Sequence, residues 1–242
     1  MNKPPIGPAP GKRAHVEAMF DEIAPRYDLL NRVLSFGIDV WWRKRAVALL
    51  RAGLDGPPRR LLDVATGTAD LAIEALALGP QEVVGVDISE GMLAGGRDKL
   101  RRRGLDRRVR LVQGDAADLP FDDGAFDGAL VAFGVRNFED LGAGLRGIRR
   151  VLRPAAPLVV LEFSHPTAPG VRQGYEAYSK HVLPRVGQAV SGSAEAYEYL
   201  PESVAAFPDG EAFLDEMRAA GYRGVLARPL TFGIVSLYRG TA

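Results

Sequence analysis

A short apolar run, a glycine-containing turn and an amphipathic segment follow one another between residues 61 and 78 of this 242-residue chain. The run Leu61–Val64 is apolar apart from one acid, which is typical of a strand buried on both faces of a parallel sheet. Gly67 lies in the turn, and apolar residues recur at helical spacing from Leu71 onward. Because a strand, a tight turn and a helix in this order present backbone N–H groups to a ligand, we expect a nucleotide-like ligand here. The pattern predicts an α/β fold.

The turn differs from the one that binds dinucleotides. A pyrophosphate-binding turn carries glycines in the pattern Gly-x-Gly-x-x-Gly, whereas this one has Gly67 alone, flanked by Ala65 and Ala69. Asp63 stands at the end of the strand, and its carboxylate suits a cationic group of the ligand better than a pyrophosphate. A nicotinamide-dependent reductase, which would share the fold, is therefore disfavoured.

Two further predicted strands, Glu82–Asp87 and Val109–Asp115, also end in an aspartate. Asp87 follows the glycine turn by about 20 residues, the usual distance for a carboxylate that accepts hydrogen bonds from ribose hydroxyls. Asp115 is placed to meet an adenine amino group. Three consecutive strands that each end in aspartate resemble the Class I S-adenosylmethionine-dependent methyltransferases. That resemblance implies a doubly wound, mostly parallel, seven-stranded Rossmann-like sheet and S-adenosylmethionine as the cofactor.

Two longer stretches narrow the resemblance to one family. The segment Phe20–Asn31 (FDEIAPRYDLLN), together with Trp42, is similar to the N-terminal signature of the menaquinone and ubiquinone C-methyltransferases, the UbiE/MenG family. A second stretch, Arg150–Ser164, resembles their Arg-Val-Leu-Arg-Pro … Glu-x-Ser signature, with Ala155-Ala156 in place of two glycines. Since alanine adopts a positive φ poorly, we expect a local difference in this turn. The family usually has a histidine at the position of Asp39, so no role of that histidine carries over.

The resemblance also assigns cofactor contacts to this chain. Positions that match the family's cofactor contacts are occupied by Thr68, Asp87, Asp115 and Ala116. The turn itself adds Asp63 and Gly67, and the positive sulfonium of the cofactor is expected near the carboxylate of Asp63.

The segment Ala132–Phe138 follows the predicted fourth strand and resembles the family's Phe-Gly-x-Arg-Asn motif. Because ligand crevices open beyond the carboxyl ends of central strands, Arg136 and Asn137 are expected to face the reaction zone. Arg136 would stabilise the phenolate that makes a neighbouring ring carbon nucleophilic, while Asn137 and Tyr27 would hold the ring. The alternative for Arg136 is a purely structural pair with a carboxylate. No residue is clearly identified as the general base; His165 is a weaker candidate.

Aromatic residues are frequent before the first strand and before the last two. Residues 12–53 predict a helical cap, and residues 165–208 predict a helical insertion. These aromatics either pack an extra helical layer onto the sheet or form a pocket for a hydrophobic ring and an isoprenoid tail. We expect one domain over residues 12–242, preceded by a flexible tail at residues 1–11.

Composition restricts the partners of this chain. A formal net charge of +1 argues against nucleic acid as the main partner. The absence of cysteine excludes disulfides and thiolate metal sites and is compatible with the cytoplasm, and three scattered histidines do not predict a metal site.

No apolar run approaches the roughly 20 residues of a membrane span. Membrane contact would then be peripheral, at the inner face. The basic cluster at Arg101–Arg110 is either a solvated helix end or a contact with anionic lipid. A homodimer is left open.

The family resemblance implies methyl transfer from S-adenosylmethionine to a ring carbon of a prenylated hydroquinone. Demethylmenaquinol, which would give menaquinol, is the favoured substrate. The alternatives are the methoxy-benzoquinol precursor of ubiquinone, or both quinols. A non-catalytic cofactor-binding protein is disfavoured by the intact cofactor positions, and an RNA or protein methyltransferase is disfavoured by the near-zero charge.

Overall fold

The computed structural model describes residues 11–166, 168–178 and 195–242. Within these residues, the strands of the sheet are β1 Arg60–Val64, β2 Glu82–Asp87, β3 Val109–Gln113, β4 Gly128–Ala132, β5 Pro157–Phe163, β6 Arg223–Leu230 and β7 Val235–Thr241. Their order across the sheet is β3-β2-β1-β4-β5-β7-β6. Strands β1 to β5 pair in parallel, whereas β7 runs antiparallel to both of its neighbours. The predicted doubly wound, mostly parallel sheet of seven strands is confirmed.

Helices cover both faces of the sheet because neighbouring strand residues point to opposite sides. Leu62 and Val160 belong to one buried apolar cluster, while Leu61 and Val159, one position earlier in the same strands, belong to the other. The near-continuous apolar runs of β1, β2, β4 and β5 are therefore buried on both faces of the sheet, as is typical of a parallel sheet with helices on both sides.

The helices of the described residues are α1 Lys12–Ile23, α2 Tyr27–Leu34, α3 Ile38–Arg51, α4 Asp70–Ala75, α5 Glu90–Arg102, α6 Leu141–Val151, α7 Pro169–Ala177, α8 Glu195–Ala206 and α9 Glu211–Ala219. Helices α1 to α3 form the predicted N-terminal cap. Helices α7 and α8 belong to the predicted insertion, of which Thr167 and residues 179–194 lie outside the described residues, as do residues 1–10 of the predicted tail. In the part of the chain that the structure covers, no helix is long and apolar enough to cross a membrane.

Local signals explain several helix ends. Helix α1 ends just before Pro25, and the side chain of Ser89 caps α5 by accepting a hydrogen bond from the backbone N–H of Met92 at 3.1 Å. Gly221 follows α9 with a φ of +94°. The end of β3 differs from the prediction, which extended the strand to Asp115. The strand ends at Gln113 because Asp115 begins a turn, in which its carbonyl accepts from the N–H of Asp118 at 3.1 Å.

The alanine pair that replaces two glycines adopts a glycine-like turn before β5. Ala155 has a φ of +65°, a conformation that costs a non-glycine residue roughly 1–2 kcal/mol. Its backbone N–H donates to the carbonyl of Ala242 at 3.0 Å, and the N–H of Ala156 donates to the carbonyl of Arg153 at 2.9 Å. These bonds hold the left-handed conformation despite the side chain.

Candidate functional site

The carboxyl ends of the parallel strands meet at one edge of the sheet, and a narrow crevice of about 70 Å³ opens there. Strand β1 lies between β2 and β4, so the direction of the crossovers reverses at this point. A reversal of this kind is where ligands bind in open α/β sheets. Helix α1 covers the crevice with Val16 and Phe20, and α2 adds Tyr27.

The turn after β1 is shaped by left-handed residues. Ala65, Gly67 and Ala69 have φ angles of +54°, +54° and +70°. Gly134 lies against this turn, and a Cβ on it would overlap the side chain of Ala65. The backbone therefore folds tightly enough to place Gly67 on the crevice wall. Two of the three positions carry alanine where glycine would be unstrained.

Asp87 is fixed at the end of β2 by two backbone groups. Its Oδ2 accepts from the N–H of Gly67 at 2.8 Å and its Oδ1 from the N–H of Ser89 at 3.0 Å. Burial, with a smaller contribution from the charge of Asp21, raises the pKa of Asp87 to about 6. Since Asp87 also lines the crevice, it presents an oriented oxygen pair to hydroxyl groups of a ligand.

Asp115 and Ala116 lie on the crevice wall beyond β3. Asp115 Oδ1 accepts from the N–H of Ala117 at 2.9 Å, and its Oδ2 lies 3.4 Å from Arg13 Nη1 of α1. The crevice thus brings together four of the six predicted cofactor residues, listed here in chain order: Gly67, Asp87, Asp115 and Ala116.

The structure places Asp63 and Thr68 behind the crevice wall. Asp63 is 1% exposed; its Oδ2 accepts from Thr66 Oγ1 at 2.6 Å, while Oδ1 has no hydrogen-bond partner among the described residues. Burial raises the pKa of Asp63 to about 7. Thr68 Oγ1 donates to Asp28 at 2.5 Å and accepts from Lys99 Nζ at 2.9 Å. Both side chains anchor the turn, and a direct cofactor contact from either remains a prediction.

A second, larger cavity of about 560 Å³ adjoins the crevice. Phe20, Tyr27 and Phe133 line both spaces, so the two ligand sites share a wall. Aliphatic and aromatic residues make up most of the lining of the large cavity. The rings of Phe133 and Phe163 lie 4.7 Å apart, and that of Trp42 lies 6.0 Å from Phe133. Its size is within the range of about 300–1,000 Å³ that is usual for small-molecule sites.

Aromatic residues from the two helical segments enclose this cavity. Trp42 comes from the N-terminal cap, while Tyr175, Tyr178 and Tyr199 come from the insertion. Phe207 instead packs in the main core, 5.0 Å from the ring of Phe213. Some of these aromatics thus line a cavity and others pack in the core; that the cavity holds a ring and an isoprenoid tail stays a prediction.

Arg136 lines the large cavity and is held by a buried ion pair. Its Nη1 lies 2.8 Å from Glu162 Oε1, with side-chain exposures of 8% and 0%, and the same nitrogen donates to the carbonyl of Phe133 at 2.5 Å. Arg136 therefore forms the structural pair with a carboxylate that was the alternative, and it also lies on the wall of the large cavity. Sequence reasoning did not identify Glu162, although it is the glutamate of the Glu-x-Ser signature at the end of β5.

The other predicted catalytic residues lie at different points. Asn137 lines the crevice, where its Oδ1 accepts from the hydroxyl of Tyr199 at 3.2 Å. Tyr27 lies between the two cavities, and burial raises the pKa of its hydroxyl. His165 is 49% exposed, pairs with Asp209 at 3.2 Å and lines neither cavity, so its position does not support a role as base.

The fold is that of the Class I S-adenosylmethionine-dependent methyltransferases. A Thermotoga maritima protein described as a S-adenosylmethionine-dependent methyltransferase, possible histamine N-methyltransferase, superposes with a TM-score of 0.63 over 94% of this chain and 99% of its own, at 20% identity. An Aquifex aeolicus methyltransferase of this class superposes with a TM-score of 0.58 over 96% and 98%, at 16% identity. Similarities at this level establish the fold alone.

The sequence defines the family more narrowly. The ubiE/COQ5 methyltransferase family model matches residues 10–242, and the chain belongs to this family. The Deinococcus radiodurans demethylmenaquinone methyltransferase is 48% identical over 99% of this chain and 97% of its own length. A protein of the same name from Thermus thermophilus is 50% identical over 92% and 99%. The Syntrophotalea carbinolica ubiquinone/menaquinone biosynthesis C-methyltransferase UbiE is 48% identical over 92% of both chains.

These findings confirm the predicted family and the predicted enzyme class, a C-methyltransferase that uses S-adenosylmethionine.

Proposed function

We propose that this protein transfers the methyl group of S-adenosylmethionine to a ring carbon of demethylmenaquinol, producing menaquinol. The observation that carries the proposal is the aromatic cavity of about 560 Å³ that shares a wall with the cofactor crevice. Its apolar surface suits a fused aromatic ring and the start of a prenyl chain. The names of relatives that are 48% and 50% identical support the choice of quinol.

The residues of the crevice suit the cofactor. Asp87 offers an oriented carboxylate to the ribose hydroxyls, and Gly67 lets the backbone approach the ligand closely. Asp115 and Ala116 form the part of the wall that would meet the adenine ring. When bound, the cofactor supplies an electrophilic methyl group on a sulfonium.

On the acceptor side, Arg136 makes the quinol reactive. Loss of the proton from a ring hydroxyl gives a phenolate, whose electron pair is shared with the neighbouring ring carbon. That carbon would accept the methyl group that bound S-adenosylmethionine supplies, with the C–S bonding electrons leaving on the neutral thioether product. The ring would then release the proton of the methylated carbon to water. The guanidinium of Arg136, oriented by Glu162 and the Phe133 carbonyl, stabilises the phenolate by a charge-assisted hydrogen bond. Tyr27 and Asn137 position the ring from the shared wall.

The methoxy-benzoquinol precursor of ubiquinone is the second candidate substrate. Relatives that are 48% and 41% identical are named for both the ubiquinone and the menaquinone pathway. The cavity is large enough for either ring.

Product mass analysis with labelled S-adenosylmethionine distinguishes these substrates. Purified protein receives short-chain demethylmenaquinol or the methoxy-benzoquinol, in separate reactions under reducing conditions. Label in the naphthoquinol supports the proposal, and label in both quinols establishes dual use. Label in the benzoquinol alone, or in neither although the cofactor binds, would contradict it.

Substitution of Arg136 tests the proposed role of its guanidinium. We expect Arg136→Gln to lower kcat by about 10²–10³, the usual effect of removing one donor to a developing oxyanion. Cofactor affinity is expected to change little because Arg136 does not line the crevice. Arg136→Lys, which keeps a positive charge opposite Glu162, should retain more activity and more stability.

Arg60 provides a matched control for this experiment. It also pairs with a glutamate, Glu82, at 3.0 Å and stacks on a phenylalanine ring, but it lies at the amino end of β1. Arg60→Gln should keep its kcat. Unchanged turnover and unchanged cofactor binding in Arg136→Gln would refute the role of Arg136.

We also propose that the protein works in the cytoplasm in peripheral contact with a membrane that holds its quinol. Phe36, at the rim of the large cavity, is 86% exposed, and Phe232, next to the cavity residue Thr231, is 78% exposed. In the basic cluster, by contrast, Arg110 pairs with Glu82 at 2.9 Å. Flotation with vesicles should therefore be weakened by Phe36→Ser but not by Arg110→Gln, and the reverse result would contradict this surface.

A further inference from the structure

The large cavity, which is called the quinol cavity from here on, is lined by an ion pair as well as by Arg136. Asp39 and Arg43 of α3 both line it, and Asp39 Oδ2 lies 2.8 Å from Arg43 Nη2. The two residues flank Trp42 on one face of the helix, as the three- and four-residue spacings require. Asp39 is 4% exposed although its side chain is ionisable. The ion pair is therefore part of the wall that a bound ring would touch.

The hydrogen bonds of Asp39 leave acceptor capacity for a ligand. Ser35 Oγ donates to Oδ1 at 2.8 Å, and Arg43 occupies Oδ2, while the more distant Arg32 lies 3.8 Å from Oδ1. An ionised carboxylate has about four acceptor positions. Arg43 supplies the carboxylate with a positively charged partner, and Asp39 lies in the first turn of α3. Asp39 is thus an oriented acceptor on an otherwise mainly apolar wall.

The aromatic group of the cavity connects this pair to Arg136. The guanidinium carbon of Arg136 lies 5.6 Å from the ring centre of Phe163, whose ring in turn lies 6.4 Å from that of Trp42. Asp39 precedes Trp42 by three residues in α3, so Asp39 and Arg136 lie beside different members of this aromatic group. A hydroquinone carries its two hydroxyls on opposite sides of one ring. The wall consequently offers one cation and one anion to the two ends of such a diol.

We propose that Asp39 accepts a hydrogen bond from the second ring hydroxyl, the one that is not adjacent to the methylated carbon. Arg136 neighbours the crevice residue Asn137 and takes the hydroxyl adjacent to that carbon, whereas Asp39 lines only the large cavity. Asp39 thereby sets the orientation of the ring and selects para-diols over rings with one hydroxyl. This inference rests on the proposed function, and it assigns the acceptor to a position where the family usually has histidine.

A cycle of two substrates and two enzymes tests the hydrogen bond. The substrates are short-chain demethylmenaquinol and its analogue in which hydrogen replaces the second hydroxyl; the enzymes are the wild type and Asp39→Ala. The intrinsic effect of the missing hydroxyl is common to both enzymes and cancels. We expect the diol-to-analogue ratio of kcat/KM to be about 10- to 100-fold larger in the wild type, the range for a hydrogen bond to a charged group.

Asp70 supplies the matched control. It also pairs with Arg43, at 3.2 Å, but lines neither cavity. Asp70→Asn should keep the wild-type ratio. Asp39→Asn retains an acceptor without the charge, so it should give an intermediate ratio. It also tests the inference if Asp39→Ala does not fold. Equal ratios in the wild type and the Asp39 variants, or an equal loss in Asp70→Asn, would overturn the inference. Absence of methylation of the diol by the wild type would instead refute the proposed function.

Discussion

Two buried aspartates near the carboxyl ends of neighbouring strands have raised pKa values. Asp63 and Asp87 end neighbouring strands, and burial raises the pKa of the first to about 7 and of the second to about 6. Asp87 has both oxygens held by backbone N–H groups, whereas Asp63 Oδ1 has no partner among the described residues. Of these two carboxylates, Asp63 is therefore the one whose ionisation the folded chain tolerates less.

The raised pKa of Asp63 makes stability depend on pH. The folded state binds the proton more tightly than the unfolded chain, so stability falls as the pH rises from about 4, the ordinary pKa, to about 7. Relative to the wild type, Asp63→Asn should gain about 1.4 kcal/mol per pH unit in this window. Urea unfolding of both proteins at pH 5 and pH 7 measures the difference. A difference in the free energy of unfolding that stays constant between these two pH values would disprove the assignment.

At the scale of elements, α1 is attached to the cofactor edge by polar contacts at several points. Asp21 Oδ1 accepts from Ser89 Oγ at 2.6 Å and from the N–H of Gly91 at 2.9 Å, which adds a second cap to α5. Gly91 is required here because a Cβ would lie 2.9 Å from the same oxygen. At the other end of α1, Lys12 Nζ donates to the carbonyl of Arg136 at 3.0 Å. Helix α1 thus links the crevice at the ends of the strands to the segment that carries Arg136.

Asp21 does not line the crevice, but removal of its contact with α5 should weaken cofactor binding. A cap of this kind contributes about 0.5–2 kcal/mol, so Asp21→Ala is expected to raise the Kd for S-adenosylmethionine by about 2- to 30-fold. The neighbouring Glu22 is exposed, and Glu22→Ala should leave the Kd unchanged. Calorimetric titration measures both values. A wild-type Kd in Asp21→Ala would show that α1 does not depend on this contact.

At the scale of the whole molecule, the N-terminal helices α1 and α2 cover the crevice that is predicted to bind the cofactor. The crevice they cover has a volume of about 70 Å³, whereas the adjoining quinol cavity has about 560 Å³. A nucleoside-sized ligand needs more room than the covered crevice offers. Since Val16, Phe20 and Tyr27 form the cover, we predict that ligand binding moves α1 and α2 outward or requires their transient opening.

Hydrogen exchange should show this opening directly. We expect the amides of residues 12–34 to exchange through local opening in the free protein and to slow when S-adenosylmethionine is added. Helix α9, which packs beside β6 at the far edge of the sheet, should show no change at short labelling times. Equal slowing in both regions, or none in residues 12–34, would contradict a moving cover.

Much of the fold and part of the site could be predicted because the responsible signals are local. Alternation and apolar runs mark the strands, Gly67 and Gly221 mark turns with positive φ, and Ser89 marks the start of α5. The crossover rule then places the ends of β1 to β4 together, and Gly67, Asp87, Asp115 and Ala116 do line one crevice there. Their contacts with the cofactor stay a prediction.

The sequence by itself therefore determined the sheet, the family and the cofactor edge, since each depends on spacing within a few residues or on a resemblance along the chain. Only the tertiary structure decided that Glu162 holds Arg136, that Thr68 is bonded to Asp28, and that Asp39 faces the quinol cavity. These contacts join separate elements, and local periodicity indicates which face of an element is buried but not which side chain another element brings to it. The partner of a buried charge is set by packing, and packing is a property of the assembled fold.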